Sequence, residues 1–563
     1  MATRIHTVCL IQSSYAPAFA RLGVRVVVLD PPAGIASLPE LLAQLPEPPD
    51  CVIHQEHLGK RLILTDLDAA PCPTIFWARD PHLNFFWQRH YARQFSAVAS
   101  TQPQHAAAFA AAGAPRTAWI TWNGWARPCT PFAQRHRELA FVGRLSSSRC
   151  RREWFAAHLA KYGLTPEQDV FGEALAAVYN DARLAPNECI AGEINQRLFE
   201  AASSGCLPLS ERTPEAVAEL FVPDREALYY DDVLELDDRL RFAAAHPALL
   251  EKMGQAAHAA VNQRHLPEHR AKSLLALAET ATAIPKGPEA AAATALTLFH
   301  LRRAGHLLLS GDMVWDRLSA APPTPEVVAA MVHLALSAGD RETVLHLAGI
   351  CLARPDLAAD LQTATACCLA ACRLDEMEVA KRAYVAWVGA TGKRQVPRLE
   401  DAYAYLLFFA NALEASDRAL APGMPFDPER HLPNVASECL IAAKSLRPDA
   451  LEADRRLEVV LRRQPGTQPD RVGLLSRLSL HRREDWSLGL ELGLANLQAF
   501  RREAGLEEVA LAAITAERLG EHARFARRLR LADPSGRLRL ALSRRTQRQP
   551  QQQGRCPCTP PGG

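Results

Sequence analysis

The chain has 563 residues, 48% of them hydrophobic and 22% charged, which excludes a disordered polypeptide. At about 150 residues per domain it should hold three to four domains. Lys and Arg number 64 against 62 Asp and Glu, a net charge of +2, and this balance removes the electrostatic case for a nucleic-acid binder. No apolar run approaches the roughly 18 residues of a membrane-spanning helix, and the run at 8–11 is too short for a secretory leader. A cytoplasmic protein without a transmembrane segment is expected. Its 14 cysteines are scattered, without paired zinc spacing, and read as reduced structural thiols.

In chain order, the first third alternates short β-branched runs with helical stretches. Strands are expected over 6–12, 24–30, 49–54, 74–77, 97–100 and 118–121, with a helix over 15–22 closed by Gly23. This alternation implies a parallel sheet covered by helices, whose ligands bind at the C-terminal strand ends. A second unit starts near Glu138. It has a strand and turn over 139–144, a helix over 151–162, strands over 168–172 and 188–191, a helix over 194–204 closed by Gly205, strands over 206–209 and 227–230, and helices over 236–245 and 247–264. After about residue 285 apolar residues recur at helical spacing. Helix pairs 327–338 with 342–353 and 361–372 with 379–388 place turns at Asp340 and Asp375, 35 residues apart, near the tetratricopeptide period. A further pair, 506–519 with 522–531, follows the same plan. The expected division is 1–133, 134–285, 286–543 as a helical-repeat domain, and a disordered tail over 544–563.

The stretch from Asn195 to Leu209 carries the chemistry. Arg197 and Glu200 are three apart on a helix and share a face. The N-terminus of that helix offers free N–H groups and partial positive charge to a phosphate. Arg197 would add a charge-assisted contact to a diphosphate and Glu200 would accept hydrogen bonds from ribose hydroxyls. An Arg–Glu pair on a solvated helix is the default for such a pair. The small residues that follow, with Gly205 before an apolar strand, instead place the helix against a sheet. Asp80 ends a strand ahead of Pro81, as a candidate general base or acceptor-positioning group, or as an ordinary turn starter. His54, His57 and His82 are weaker candidates, and the aromatic residues around Trp77, Trp87 and Trp122 are read first as core. There is no Walker A loop, GxGxxG after the first strand, HExxH or GxSxG.

Asn195, Arg197, Phe199, Glu200 and Gly205, at these spacings, resemble the signature of CgeB-like, spore-maturation-type glycosyltransferases, which are related to the glycosyl transferase group 1 and GT-B enzymes. Phe141-Val142-Gly143-Arg144, the element from Tyr179 to Asn187, Tyr230-Asp231-Asp232, Arg264-His265 with Arg270, and Phe76-Trp77 with Asp80-Pro81 resemble further motifs of that family, in order over 1–280. The resemblance implies two Rossmann-like domains of GT-B type and, with the helices, an α/β chain followed by an all-α repeat domain. It implies transfer of a sugar from a nucleotide-sugar donor, a co-substrate rather than a cofactor, to a protein or glycan acceptor, without a bound metal. Carried over by position, Gly143, Arg144, Asn195, Arg197, Glu200 and Gly205 would form the donor site. Related retaining enzymes carry a Glu eight positions before the ribose-binding one. Here that position is Gly192, and the nearest acid is Glu193. The resemblance therefore leaves the inverting or retaining outcome open, and keeps a second expectation in play: a non-catalytic scaffold whose α/β half binds the nucleotide sugar inertly. The helical half is expected to recruit a protein partner and to leave donor chemistry alone.

Overall fold

The structure is a computed structural model that describes residues 5–213, 217–281, 287–392 and 397–548. Its twelve strands are β1 (Thr7–Ile11), β2 (Arg25–Leu29), β3 (Gly34–Ser37), β4 (Cys51–Gln55), β5 (Leu62–Thr65), β6 (Thr74–Ala78), β7 (Ala97–Ser100), β8 (Thr117–Trp119), β9 (Arg137–Leu139), β10 (Ala182–Asn187), β11 (Leu207–Glu211) and β12 (Leu228–Tyr230). Six form a parallel sheet in the order β2-β1-β4-β6-β7-β8, and four form a second parallel sheet in the order β12-β11-β10-β9. β3 and β5 pair separately, also in parallel. The remainder is helical, and from 287 onward the described residues contain helices without strands. The fold class is thus the α/β pair of parallel sheets followed by all-α structure that the sequence implies. Among the described residues no helix is long and apolar enough to cross a membrane. The twelve cysteines among them are free, and most are buried.

The central strands of the first sheet are the continuous apolar runs of the sequence. β1, β4, β6 and β7 are buried along their whole length, as strands covered on both faces must be. In the second sheet the expectations fail locally. The strand expected at 168–172 is a single bridge between Val142 and Glu167, followed by a helix over Gly172–Asn180. The strand expected at 188–191 lies earlier, as β10, and 190–192 is a tight helical turn. β10 contains Arg183 and Pro186, residues that argue against a central strand, yet it is flanked by β9 and β11.

The chain divides into two compact units, one made of 1–123 and 264–460, the other of 124–263 and 461–563. These units cut the chain elsewhere than at the boundaries expected from the sequence. The helices are shared out between them. In the first unit, Phe76, Trp87 and Phe95 of the sheet region share a core with Leu296, Phe299 and Val327 of helices Pro288–Arg303 and Pro325–Ser337. Strands β1, β4 and β6 pack their other face on Leu274 and Leu275 of helix Pro267–Glu279. In the second unit, Phe141, Phe155 and Tyr230 share a core with Trp486, Val509 and Phe525 of the last helices and with Phe500, in the turn between two of them. Phe155 and Phe500 meet edge to face at 4.9 Å. The helical half therefore does not stand apart from the sheets, as the expected division of labour required. The tail begins later than expected, because helix Arg537–Arg548 runs through 544–548. The rest of the expected tail, 549–563, lies outside the described residues.

The helix pairs themselves are where the periodicity puts them: Pro325–Ser337 with Arg341–Ala353, Leu361–Arg373 with Met377–Ala390, and Arg502–Arg518 with His522–Ala532. The two turns 35 residues apart differ in construction. Asp340 caps its helix by accepting from the Thr343 N–H, whereas Asp375 adopts a left-handed φ of 61°.

Candidate functional site

The site candidates of the second unit gather at the C-terminal end of β10. Its last residue, Asn187, is the organising group. Asn187 Oδ1 accepts from Asn195 Nδ2 at 3.1 Å and from Arg197 Nε at 2.9 Å, and its own amide donates to Ser210 Oγ on β11 at 2.9 Å. Tyr230 of β12 donates its hydroxyl to the Asn187 carbonyl. β11 thereby fixes the Asn187 carboxamide and β12 its backbone carbonyl, and the carboxamide in turn fixes the start of helix Gln196–Ser203. Asn195 precedes that helix without capping it. Its side chain turns to Asn187, and its buried Oδ1 has no hydrogen-bond partner.

Arg197 is held from two further directions. Nη2 donates to the Glu188 carbonyl at 2.7 Å, and the guanidinium lies 5.1 Å from the Phe141 ring centroid. Gly143 sits against it: a Cβ at 143 would lie 2.9 Å from Arg197 Nη1 and 3.0 Å from the Phe141 ring. Gly143, Asn195 and Arg197 are thus brought together. Glu200 is three residues further along the same helix. Burial pushes its carboxyl up to about 7, against the opposing pull of Arg197 and Arg127. Arg144 is exposed on the loop that follows Gly143.

Gly205 is not part of this group. It lies past the other end of the helix with a φ of 66°, where a Cβ would meet Cys129 Sγ at 2.2 Å. That close approach and left-handed turn, rather than a ligand, account for the glycine. Arg135 holds the same corner, donating to the carbonyls of Thr130, Tyr179, Ala182 and Ser204.

A buried ionic network behind Asn187 has no counterpart in the sequence reading. Arg151 and Arg152, at the start of helix Cys150–Leu159, bind the Glu188 carboxylate at 3.3 and 2.9 Å. Arg151 also pairs with Glu211, and Glu211 Oε2 accepts from the Cys189 N–H at 2.7 Å. Arg152 Nη2 is buried with no hydrogen-bond partner, and burial together with Arg197 lowers the Arg152 pKa. The basic run around Arg151 and Arg152 was legible as a helix start only; its pairing depends on residues 36 to 60 positions away.

Gly192 has a φ of 74° and faces Pro465, whose Cβ would lie 3.0 Å from an added Cβ. From the other side, a Cβ on Gly466 would fall 2.7 Å from the Ala191 nitrogen. The helical segment thus presses a tight turn onto the loop that precedes Asn195, and a side chain at 192 would need both a left-handed backbone and a shift of Pro465.

Asp80 belongs to the first unit. It follows β6 and precedes helix Pro81–Tyr91, without capping it. Glu56 accepts from the backbone N–H groups of Arg79 and Asp80, at 2.8 and 3.0 Å, and so fixes this strand exit. Arg79 lies between the rings of Trp77 and Trp122, at 4.7 and 4.1 Å from their centroids. His54 is core: it is wholly enclosed, paired with the Tyr91 hydroxyl, and burial lowers its pKa to about 3. His265 packs beside Arg270, which donates to the Trp122 carbonyl. Trp77 and Trp87 are also core residues, with 0% and 1% exposure.

Residues 130–276 match the family described as glycosyl transferase-like. No curated protein matches the sequence. Solved structures that align with the chain include Anabaena HepE in complex with UDP-glucose, at 12% identity over 48% of this chain and 100% of that one, with a TM-score of 0.34. Sucrose-phosphate synthase of Thermosynechococcus elongatus aligns at 12% identity over 48% of this chain and 97% of its own, with a TM-score of 0.34. TarM aligns at 9% identity over 40% and 54%, with a TM-score of 0.32. The second sheet, with the helix that carries Arg197 and Glu200, lies in the stretch that is glycosyl transferase-like in sequence.

Proposed function

We propose that this chain is a glycosyltransferase of GT-B type that moves a hexosyl group from a nucleotide-sugar donor to a protein or glycan acceptor. The observation that carries this reading is Arg197, anchored by Asn187 and the Glu188 carbonyl beside Gly143, with Glu200 one turn further on the same helix. The close Gly143 backbone, the helix N-terminus and Arg197 suit a diphosphate; Glu200 suits ribose hydroxyls. Arg197, with Arg144 on the neighbouring loop, would stabilise the charge that develops on the leaving diphosphate, and in this reading no metal is required. Asp80, at the end of a strand in the first unit, would position or deprotonate the acceptor hydroxyl. The helices would add a surface for a protein partner, and the site of action would be cytoplasmic.

The left-handed Gly192, packed against Pro465, favours a second reading, an inert nucleotide-sugar binder, because this packing disfavours an acid at 192. A panel of nucleotide sugars in thermal-shift and slow-hydrolysis assays tests both. A transferase is stabilised by its donor, by about 2.7 kcal/mol at 100 times Kd, and slowly releases nucleoside diphosphate. Stabilisation without any release supports the inert binder. No stabilisation by any nucleotide sugar, or stabilisation unchanged in Glu200→Ala, overturns both.

A further inference from the structure

Within the first unit, away from the residues discussed above, a cavity of about 170 Å³ lies among helices Pro81–Tyr91 and Pro288–Arg303, the segment 417–424 and the start of helix Ala436–Leu446. Three guanidinium groups line it: Arg89, Arg303 and Arg418. Its floor includes His300, stacked on His90 with centroids 5.0 Å apart. The segment 417–424 is held in place by close approach, since a Cβ on Gly423 would fall 1.9 Å from the Leu83 carbonyl oxygen.

The carboxylates around the cavity are largely committed. Glu438 accepts from Arg303 at 3.2 Å and from the Asn434 N–H at 2.7 Å. Glu326 stands behind Arg89, 3.5 Å from its Nη2 and 3.6 Å from Arg93. Asp360 caps its own helix by accepting from the N–H groups of Gln362 and Thr363. Asp417, also in the lining, is exposed. Two inward groups are left with donors or acceptors unspent. Arg303 has a side chain only 5% exposed and its Nε has no hydrogen-bond partner. His300 is 7% exposed and its Nδ1 has none either. Burial and the proximity of Arg89 lower the Arg418 pKa, and burial likewise lowers that of Arg89, so the cluster is costly as it stands. Arg303 and Arg89 each meet one carboxylate, Glu438 and Glu326, and Arg418 donates to the neutral Gln362 Oε1 at 3.1 Å; a further anion would meet the Arg418 charge and the unspent Arg303 Nε.

We propose that this cavity binds the oxyanion group of a small organic ligand, a phosphate monoester or a carboxylate, between Arg89, Arg303 and Arg418. Planar guanidinium forks match either oxyanion. Beside the polar Gln362 and Asn434, the rest of the wall includes Phe85, Leu420, Pro422 and Val435, so the ligand carries an apolar portion next to its charge. The inference does not rest on the glycosyltransferase reading.

The test uses the full chain, titrated with inorganic phosphate, phenyl phosphate and benzoate at constant ionic strength, followed by calorimetry and thermal shift. Saturable binding is expected, with phenyl phosphate or benzoate tighter than inorganic phosphate, and the preferred one of the two identifies the oxyanion. Arg418→Gln and Arg303→Met should each weaken it at least about tenfold, the scale of one charge-assisted contact. Asp417→Asn should tighten it by removing a like charge. Arg197→Ala, in the second unit, should leave it unchanged. If Arg303→Met fails to fold, the half-buried Arg418 decides alone. No saturable binding of any of the three probes, equal binding by wild type and Arg418→Gln, or binding lost only in Arg197→Ala overturns the proposal.

Discussion

Gly143 and Arg197 touch across the loop after β9: an added Cβ at 143 would sit 2.9 Å from Arg197 Nη1. The absent side chain at 143 is what allows Arg197 to reach both Asn187 and the Glu188 carbonyl. Gly143→Ala should displace the guanidinium, because the facing Phe141 ring is buried and cannot give way. The expected result is about a tenfold loss of nucleoside diphosphate affinity by calorimetry, with a stability cost of about 1–3 kcal/mol from overpacking. Unchanged affinity would show that Arg197 does not contact the ligand.

Glu200 sets a pH dependence whose sign follows from its environment. Its carboxyl titrates near 7 in the folded chain, mainly through burial, and at about 4.3 in an unfolded one. Between these values the folded state binds a proton that the unfolded state does not, so stability falls as pH rises from about 4.3 to 7 and is flat above. Glu200→Gln should remove that slope from the melting temperature. Donor binding should run the other way. Ribose hydroxyls donate best to the carboxylate, so nucleoside diphosphate affinity should rise between pH 6 and 8 with net proton release. Calorimetry in two buffers of different ionisation enthalpy measures that release. Proton uptake on binding, or affinity independent of pH in the wild type, would refute the assignment of Glu200 to the ribose. Glu200→Ala should lose about 1.5–3 kcal/mol of nucleotide affinity.

The elements that sequence reasoning located are those whose signal is local. β1, β4 and β6 are unbroken apolar runs, and helix Gln196–Ser203 is announced by the small residues and Gly205 that end it. β10 escaped because Arg183 and Pro186 break its apolar pattern, although its neighbours on both sides bury it. The same local logic found Arg197 and Glu200 but missed Arg151, Arg152, Glu188 and Glu211, whose meaning lies in pairing across the sheet. It also could not divide the helices. The faces that Leu296 and Val509 present to different sheets share one Ala- and Leu-rich periodicity, and periodicity records that a face is buried, not against what.

Gly192 is a position where introducing an acid should harm rather than help. Gly192→Glu asks a bulky residue to hold a φ of 74° with its Cβ against Pro465. A loss of about 1–3 kcal/mol is expected, with no gain in donor hydrolysis. The pair Gly192→Ala and Pro465→Gly separates the two causes. If sterics dominate, the double variant recovers most of what Gly192→Ala loses. If the left-handed backbone dominates, the two effects add. A Gly192→Glu chain that melts as the wild type and hydrolyses donor faster would contradict the packing and favour a latent retaining site.

Truncation after residue 285 tests the partition of the helices most directly. If the helices formed a separate recruiting domain, the shortened chain would fold, bind nucleotide and lose only the macromolecular acceptor. The cores argue otherwise. In the second unit, Trp486, Phe500, Val509 and Phe525 cover Phe141, Phe155 and Tyr230, and in the first, Leu296 and Phe299 cover the sheet face that carries Phe76. Each such buried side chain contributes about 1.5–3 kcal/mol, and a domain has only about 5–15 kcal/mol of net stability. Removing either set of helices should therefore leave an insoluble or molten chain that no longer binds nucleotide. A milder cut tests the same point within one core. Phe500→Ala should cost about 3–5 kcal/mol and, by loosening helix Cys150–Leu159 at Phe155 beside Arg151 and Arg152, should lower nucleotide affinity from outside the site. A chain ending at 285 that stays soluble, melts cooperatively and binds nucleotide like the wild type would show that these shared cores are dispensable and that the helices are accessory after all.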